Sequence, residues 1–556
     1  MERRQENGGL RHSCSSNSLN GNHEDSALEK QVTLQRLVNE AQRFREECSE
    51  KVRTDIEDYF DSFISNVEII SQAEHVDNIK SSLNSAQCHA NWKHVKRKDR
   101  VMNTFPNMGG ENRKKEKGDL PDKEFVTRNS VLTDLFEISH IRSIYHMFIA
   151  TLIIFSINTL FMDIVEKQSL GLDFGLIQWG LGKSPKVVSC WLWMQCATLV
   201  VVYPGFYCWS YYRTEGKPGI FDYLGLLVYM LYQGAFLILP VWFIIEQEMP
   251  PASAVIIATE QIRFLMKSHA FVRENFPKVL LFRKEDSKDH EQSDMCPGFS
   301  KYLYFLFAPT LVYRDNYPRT ANIRWSYVVS NFGQVLACLL YTYYIFERFC
   351  VPVFHNFNQD HVSARLFLTS MFNCMLPGTL VLLIGFFAIL HSWLNAFAEM
   401  LRFADRMFYK DWWNMTSFAS YYRTWNIVVH DWLYTYVYRD CCKLFGPKQR
   451  GLSMASVFLL SAVFHEYVLI MALGFFYPVL FVMFMGAGFG FIFVKGTSRS
   501  WNVFLWLALL MGMGILLCLY TIEWYARQNC KQFSDDFLDI LIPRSWTCNG
   551  LNGSAS

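Results

Sequence analysis

The chain has 556 residues, of which 51% are apolar, 16% aromatic and only 19% charged, against roughly 25% charged in ordinary soluble domains. That balance argues against a row of soluble domains, and a formal net charge of +2 gives no global basic field for nucleic acid. The charges crowd into the first 140 residues and a few short loops, which points to a polytopic membrane protein with a polar N-terminal extension.

Residues 1–27 are rich in Ser, Asn, Gly and charge, and read as a disordered cytosolic tail. The tail lacks the apolar stretch of a cleavable signal peptide. Over 28–72 the apolar residues Leu34, Leu37, Ala41, Phe44, Cys48, Val52, Ile56, Phe60, Phe63, Val67 and Ile70 recur at steps of three and four. They form one stripe of an amphipathic helix. Repeated four-residue steps from Phe44 to Phe60 argue against a regular dimeric zipper. The stripe is buried either by self-association or against the protein's own body. Residues 73–128 read as a flexible charged linker, and residues 130–141 as an interfacial helix before the first span.

The fold class expected for 129–548 is all-α, a membrane-embedded domain of about nine transmembrane helices. The candidates are 144–164, 187–209, 220–245, 252–272, 325–347, 366–400, 453–473, 475–494 and 501–521, each near the ~20 apolar residues a span needs. Glu260, Gln261, Arg263 and Lys267 interrupt the fourth, and Pro377-Gly378 suggests a kink in the overlong sixth. The stretch Tyr302–Leu311 is apolar but too short to cross, so it reads as re-entrant or interfacial. Lys and Arg crowd the leader and alternate connectors, which sets the N-terminus in the cytosol and the C-terminus, with a short tail at 549–556, in the lumen. The 15 cysteines include no C-x-x-C pair. Cys530 and Cys548 flank a polar C-terminal segment and could pair in an oxidising lumen.

Two places carry candidate chemistry. His465 lies about 12 residues into an apolar segment, roughly 18 Å along a helix and near the middle of a ~30 Å hydrocarbon core. Desolvation there favours the neutral imidazole that a general base needs; the other reading is a histidine that merely bonds a neighbouring carbonyl. Glu466 points about 100° away and pairs more readily with another helix. Further back, Arg423, Asn426 and His430 share one face if 422–430 is a continuous helix, with Tyr422 beside them. This segment is either a solvated surface helix with interfacial tryptophans or a helix that dips inward. The second form presents a cation, an amide and an imidazole to a phosphate-bearing substrate.

The motif Phe408-Tyr409-Lys410-Asp411-Trp412-Trp413-Asn414, followed by a membrane-embedded His465, resembles the membrane-bound O-acyltransferase superfamily. Its form narrows the resemblance to the sterol and diacylglycerol acyltransferase branch. The stretches 140–149, 302–310, 313–319, 391–410, 523–528 and 543–548 are similar to sterol O-acyltransferases, and the resemblance runs from about residue 128 to 548.

The resemblance implies a catalytic role for His465 and for Asn426 beside Trp425. It implies an acyl-CoA channel lined by Tyr422, Arg423, His430, Tyr438 and Ser461. Arg450 stands where close relatives carry lysine, which keeps the charge and changes its geometry. It further implies a homo-oligomer, dimer or tetramer, joined through the N-terminal helix, a luminal Cys530–Cys548 disulfide, and an endoplasmic reticulum location. Acyl-CoA is then a co-substrate, and no metal or other cofactor is expected. The expected reaction moves a long-chain acyl group from acyl-CoA to the 3β-hydroxyl of cholesterol, with the lipid bilayer and the two substrates as partners. Phe408–Asn414 is expected to anchor the active-site helix at the interface, Asp411 and Asn414 serving structurally. A diacylglycerol acyltransferase shares the motif, and a transporter with a buried His/Glu relay is the reading from another class.

Overall fold

The computed structural model describes residues 122–546, apart from 168–174, 214–218, 282–295, 355–363 and 533–535 and the single residues 447, 495 and 497. The expected N-terminal tail, the amphipathic helix at 28–72, most of the linker and the tail at 549–556 lie outside the described residues.

The described part is built from helices, with two isolated bridges, Arg128 to Asp405 and Arg319 to Phe403, tying loops together. A single turn, α1 (Val131–Leu135), precedes the first long helix, α2 (Ser139–Lys167). Then come α3 (Ile177–Tyr212), interrupted by a turn before Ser184, and α4 (Ile220–Glu246). They are followed by α5 (Pro251–Leu281), the short α6 (Phe299–Phe307), α7 (Trp325–Val353) and α8 (Ala364–Met400). The second half holds α9 (Phe418–Thr424), α10 (Ile427–Trp432), α11 (Arg450–Leu473), α12 (Val479–Phe491), α13 (Trp501–Asn529) and α14 (Asp536–Leu541).

Seven of these, α2, α3, α4, α7, α8, α11 and α13, are long and apolar enough to cross a membrane. Their outward faces carry apolar side chains such as Ile154, Leu231, Ile238 and Val329, all exposed, as lipid contact requires. Of the nine spans expected, seven meet this measure of length and composition among the described residues, and the other two candidates lie in α5 and α12. The fourth candidate is the 31-residue α5, long enough but too polar. Its polar groups are satisfied inside the protein. Lys267, 2% exposed, donates to the carbonyls of Phe305, Leu306 and Ala308 at 2.6, 3.0 and 2.8 Å, capping the C-terminal end of α6 where the helix dipole favours a cation. Glu260 accepts from Trp191 at 2.7 Å and from Arg263 at 2.7 and 2.8 Å. The eighth candidate begins only after Pro478 and yields the short α12.

Helix α6 is the expected non-crossing stretch, with Tyr302, Phe305 and Leu306 fully buried. In α8 the helix runs on through Pro377, and Gly378 serves close packing. A Cβ there would stand 3.0 Å from the Met513 carbonyl oxygen of α13, and one at Gly514 would stand 2.6 Å from Met375 Cγ. Small residues let the two backbones approach, as in helix pairs within membranes.

Candidate active site

The segment 422–430 is not one helix. Helix α9 starts at Ser417, whose Oγ accepts from the Ser420 N–H at 3.3 Å, and it stops at Thr424. The chain then turns a corner, and Asn426, with φ −138° and ψ 91°, caps α10: its Oδ1 accepts from the Val429 N–H at 3.1 Å. Asn is among the preferred N-cap residues for this reason. The shared face proposed for Arg423, Asn426 and His430 is overturned, because the helical period breaks between them. The corner leaves Asn426 with its Oδ1 occupied and its Nδ2 as the group able to donate.

Two backbone bonds from the motif hold that corner on both sides. The Lys410 N–H donates to the Thr424 carbonyl at 2.9 Å, and the Ile427 N–H donates to the Phe408 carbonyl at 2.8 Å. The motif side chains then lock the motif. Phe408, Tyr409 and Trp412 are buried, and the Tyr409 hydroxyl meets His391 Nδ1 at 2.7 Å. The Trp413 carbonyl accepts from Asn502 Nδ2 and Trp506 Nε1 at 2.9 and 3.2 Å, while Asp411 and Asn414 close a tight turn through a 3.0 Å backbone bond. Trp425 packs edge-on against Trp412 with ring centroids 4.5 Å apart, and lies 5.2 Å from Phe386.

His465 stands on α11 and is linked to α9 through Phe484. Its Nδ1 lies 2.7 Å from the Ser461 carbonyl oxygen one turn back, with the Ser461 hydroxyl at 3.4 Å. A carbonyl can only accept, so the proton resides on Nδ1 and the lone pair on Nε2. The bland reading, a carbonyl-bonded histidine, and the functional one, a base, thus describe two nitrogens of the same ring. The imidazole is stacked on Phe484 of α12 at 5.2 Å and 23°, and Tyr422 of α9 packs on the same Phe484 at 5.7 Å. Glu466 turns away: its carboxylate lies 2.9 and 3.0 Å from the Tyr520 hydroxyl and accepts from the Phe481 N–H at 2.9 Å.

Beyond the corner, His430, Tyr434 and Tyr438 stack as a ladder, with centroids 6.3 and 5.8 Å apart and planes within 10° and 18°. Arg423 is exposed on α9, and Arg450, also exposed, opens α11 within electrostatic reach of Tyr438. Neither arginine makes an ion pair among the described residues, so both guanidinium groups stand available to an anion. His430 Nδ1 lies 3.6 Å from Asp431, which meets Lys123 Nζ at 2.6 Å. Burial of the Asp431 carboxyl opposes its charge, but His430 and Lys123 outweigh it and hold the carboxyl below its usual range.

The sequence pattern described as MBOAT, membrane-bound O-acyltransferase family, matches residues 177–522, a stretch that includes the Asn426 corner and His465. The chain belongs to the membrane-bound O-acyltransferase family. It is 50% identical over 431 residues to sterol O-acyltransferase 1 of Mus musculus, covering 77% of this chain and 79% of that relative. To sterol O-acyltransferase 1 of Cricetulus griseus it is 43% identical over 534 residues, 94% of each. To sterol O-acyltransferase 2 of Homo sapiens it is 45% identical over 447 residues, 80% of this chain and 84% of the relative.

In this membrane-bound O-acyltransferase three residues in contact with the candidate site were not singled out from sequence. Phe484, which carries the His465 ring, looked like one more apolar residue of a span. Tyr434 fills the rung between His430 and Tyr438, and the i, i+4, i+8 spacing was its available signal. Lys123 comes from the stretch taken as linker, and only the fold brings it to Asp431. No three His, Cys, Asp or Glu side chains converge as a metal shell among the described residues. Cys530 follows α13 directly, and Cys548 lies outside the described residues.

Proposed function

We propose that the chain is a sterol O-acyltransferase of the endoplasmic reticulum membrane, moving a long-chain acyl group from acyl-CoA to the 3β-hydroxyl of cholesterol. The observation that carries the reaction chemistry is the 2.7 Å approach of His465 Nδ1 to the Ser461 carbonyl oxygen. With Nδ1 donating to Ser461, Nε2 accepts the hydroxyl proton as the sterol oxygen attacks the thioester carbonyl. The Asn426 Nδ2–H donates to the oxyanion so formed. The tetrahedral intermediate collapses, the C–S bond breaks, and the CoA thiolate recovers the proton from Nε2. No protein nucleophile is needed, so the transfer is direct.

Arg423 and Arg450 suit the phosphates of CoA, and the stacked His430, Tyr434 and Tyr438 suit its flat and apolar parts; Tyr422 and Ser461 border the reacting end. The names of the relatives support the sterol as acceptor. With the N-terminus cytosolic, acyl-CoA enters from the cytosol and the C-terminus is luminal, where Cys530 and Cys548 form a disulfide. The disulfide-bonded state of Cys530 supports that pairing. Self-association through the helix at 28–72 completes the assembly, as a dimer or a tetramer.

The test is a competition between cholesterol and diacylglycerol for labelled acyl-CoA on the purified protein in detergent, beside His465→Ala. Cholesteryl ester as the main product, lost in the variant, is the expected outcome. A preference for diacylglycerol overturns the acceptor, activity retained in the variant overturns the base, and absence of any CoA-dependent product favours a transporter.

A further inference from the structure

The back of the helix that bears His465 meets a buried amide of α5. Helix α4 contains Pro240, which has no N–H, so the carbonyl four residues earlier, that of Phe236, loses its helical donor. Gln261 of α5, wholly buried, supplies the replacement: its Nε2 donates to the Phe236 carbonyl at 2.8 Å and to the Leu237 carbonyl at 2.9 Å. Both amide hydrogens are thereby used. Its Oε1 accepts from the hydroxyl of Tyr467, which stands on α11 two residues beyond His465. Two residues are about 200° of helix, so Tyr467 and His465 project from opposite sides of the same turn.

We infer that Gln261 and Tyr467 are positioning residues for the catalytic histidine, fixing the rotation and height of α11 through a brace anchored on the proline break of α4. This rests on the reading of His465 as the base. Buried polar groups at this depth are costly unless paired, and here one amide pairs with two carbonyls and one hydroxyl at once. Such a saturated network has one arrangement rather than several. On the opposite side of α11, His465 has its bond to Ser461 and the Phe484 stack as its contacts among the described residues. Neither of those fixes α11 against α4 and α5, and a misplacement of about 1 Å can cost about 100-fold in rate.

The test is steady-state kinetics of the full-length protein in detergent for Tyr467→Phe, with thermal unfolding and the His465→Ala variant measured alongside. The expected result is a fall in kcat of about tenfold with the acyl-CoA KM within twofold of wild type. A general loosening of the fold would instead move KM and unfolding together. Should Tyr467→Phe fail to accumulate, the double variant Gln261→Met with Tyr467→Phe leaves no buried amide seeking a partner and carries the same expectation. Unchanged kcat in the variant that accumulates overturns the inference, as does a rise in KM that matches the fall in kcat. If His465→Ala is inactive while Tyr467→Phe keeps full kcat, the brace alone fails; if His465→Ala is active, the base reading fails first.

Discussion

Phe484 lies flat against His465, ring centroids 5.2 Å apart with 23° between the planes, and presents another part of its ring to Tyr422 at 5.7 Å. One apolar side chain therefore connects His465, the proposed base, with the helix that leads to Asn426. Removing it should release the imidazole to rotate about the Ser461 bond. Phe484→Ala is expected to lower kcat about tenfold, equivalent to about 1.4 kcal/mol at the transition state. Phe484→Tyr, which keeps the stack, should retain most of the activity. Initial rates in purified protein, at saturating acyl-CoA, check both.

The cap observed at Asn426 and the oxyanion contact proposed for it fall on two atoms, and they can be separated. Its Oδ1 caps α10, and its Nδ2 is the donor assigned to the oxyanion. Asn426→Asp keeps the cap and removes the donor, so it should unfold at close to the wild-type temperature while kcat falls by roughly 10²–10³, the usual cost of a lost oxyanion donor. Asn426→Ala should lose the same activity and in addition about 1 kcal/mol of stability for the missing cap. Thermal unfolding and turnover measured on the same preparations check the split. Equal stability of the two variants would remove the capping role from the account.

A pH effect follows from Asp431. His430 and Lys123 hold its folded-state pKa below the ordinary value despite burial, so its contribution to stability is present above the unfolded value of about 4 and is lost as pH falls through the folded value. Asp431→Asn should therefore be less stable than wild type at neutral pH, and the gap should close on acidification below that range. Detergent-phase unfolding across a pH series checks this, and a gap that widens towards acid would contradict it. Because Asp431 adjoins His430 at 3.6 Å, the same variant should also raise the acyl-CoA KM.

Hydropathy located the seven apolar spans well, because lipid exposure leaves a plain compositional trace. It is a weaker guide to the other two candidates, where composition and environment part company. In α5, Glu260, Arg263 and Lys267 are paired with Trp191, with the end of α6 and with each other, so the helix carries these charges without leaving them bare. The break at Trp425–Asn426 was legible in principle: Asn followed by Ile427, Val428 and Val429 is an N-cap signature. A single helical period laid over 422–430 hid it. An anchoring role was expected of Phe408–Asn414, but its means was beyond reach, since the hold on the corner runs through the Phe408 carbonyl and the Lys410 N–H, groups every residue has. His465 was found because an imidazole in an apolar run is conspicuous; the stack and the brace that orient it come from distant positions.

Gly488 offers the sharpest test of how tightly the aromatic cluster is built. Of the three glycines at 486, 488 and 490, only Gly488 is in close approach: a Cβ there would stand 2.6 Å from the Tyr422 hydroxyl oxygen, while the other two meet nothing within 4 Å. Tyr422 cannot easily yield, because its ring is flanked by Phe458 at 5.2 Å, Phe484 at 5.7 Å and Phe418 at 6.1 Å. Gly488→Ala should push the tyrosine onto Phe484 and, through it, disturb His465, with a fall in kcat of about three- to tenfold. Gly486→Ala and Gly490→Ala should be close to neutral. Adding Tyr422→Phe to Gly488→Ala removes the clashing oxygen and should return most of the lost rate, a non-additive result that a double-mutant cycle measures directly. Additive losses in that cycle would mean that Gly488 acts elsewhere, and that the chain from Tyr422 through Phe484 does not transmit the strain to His465.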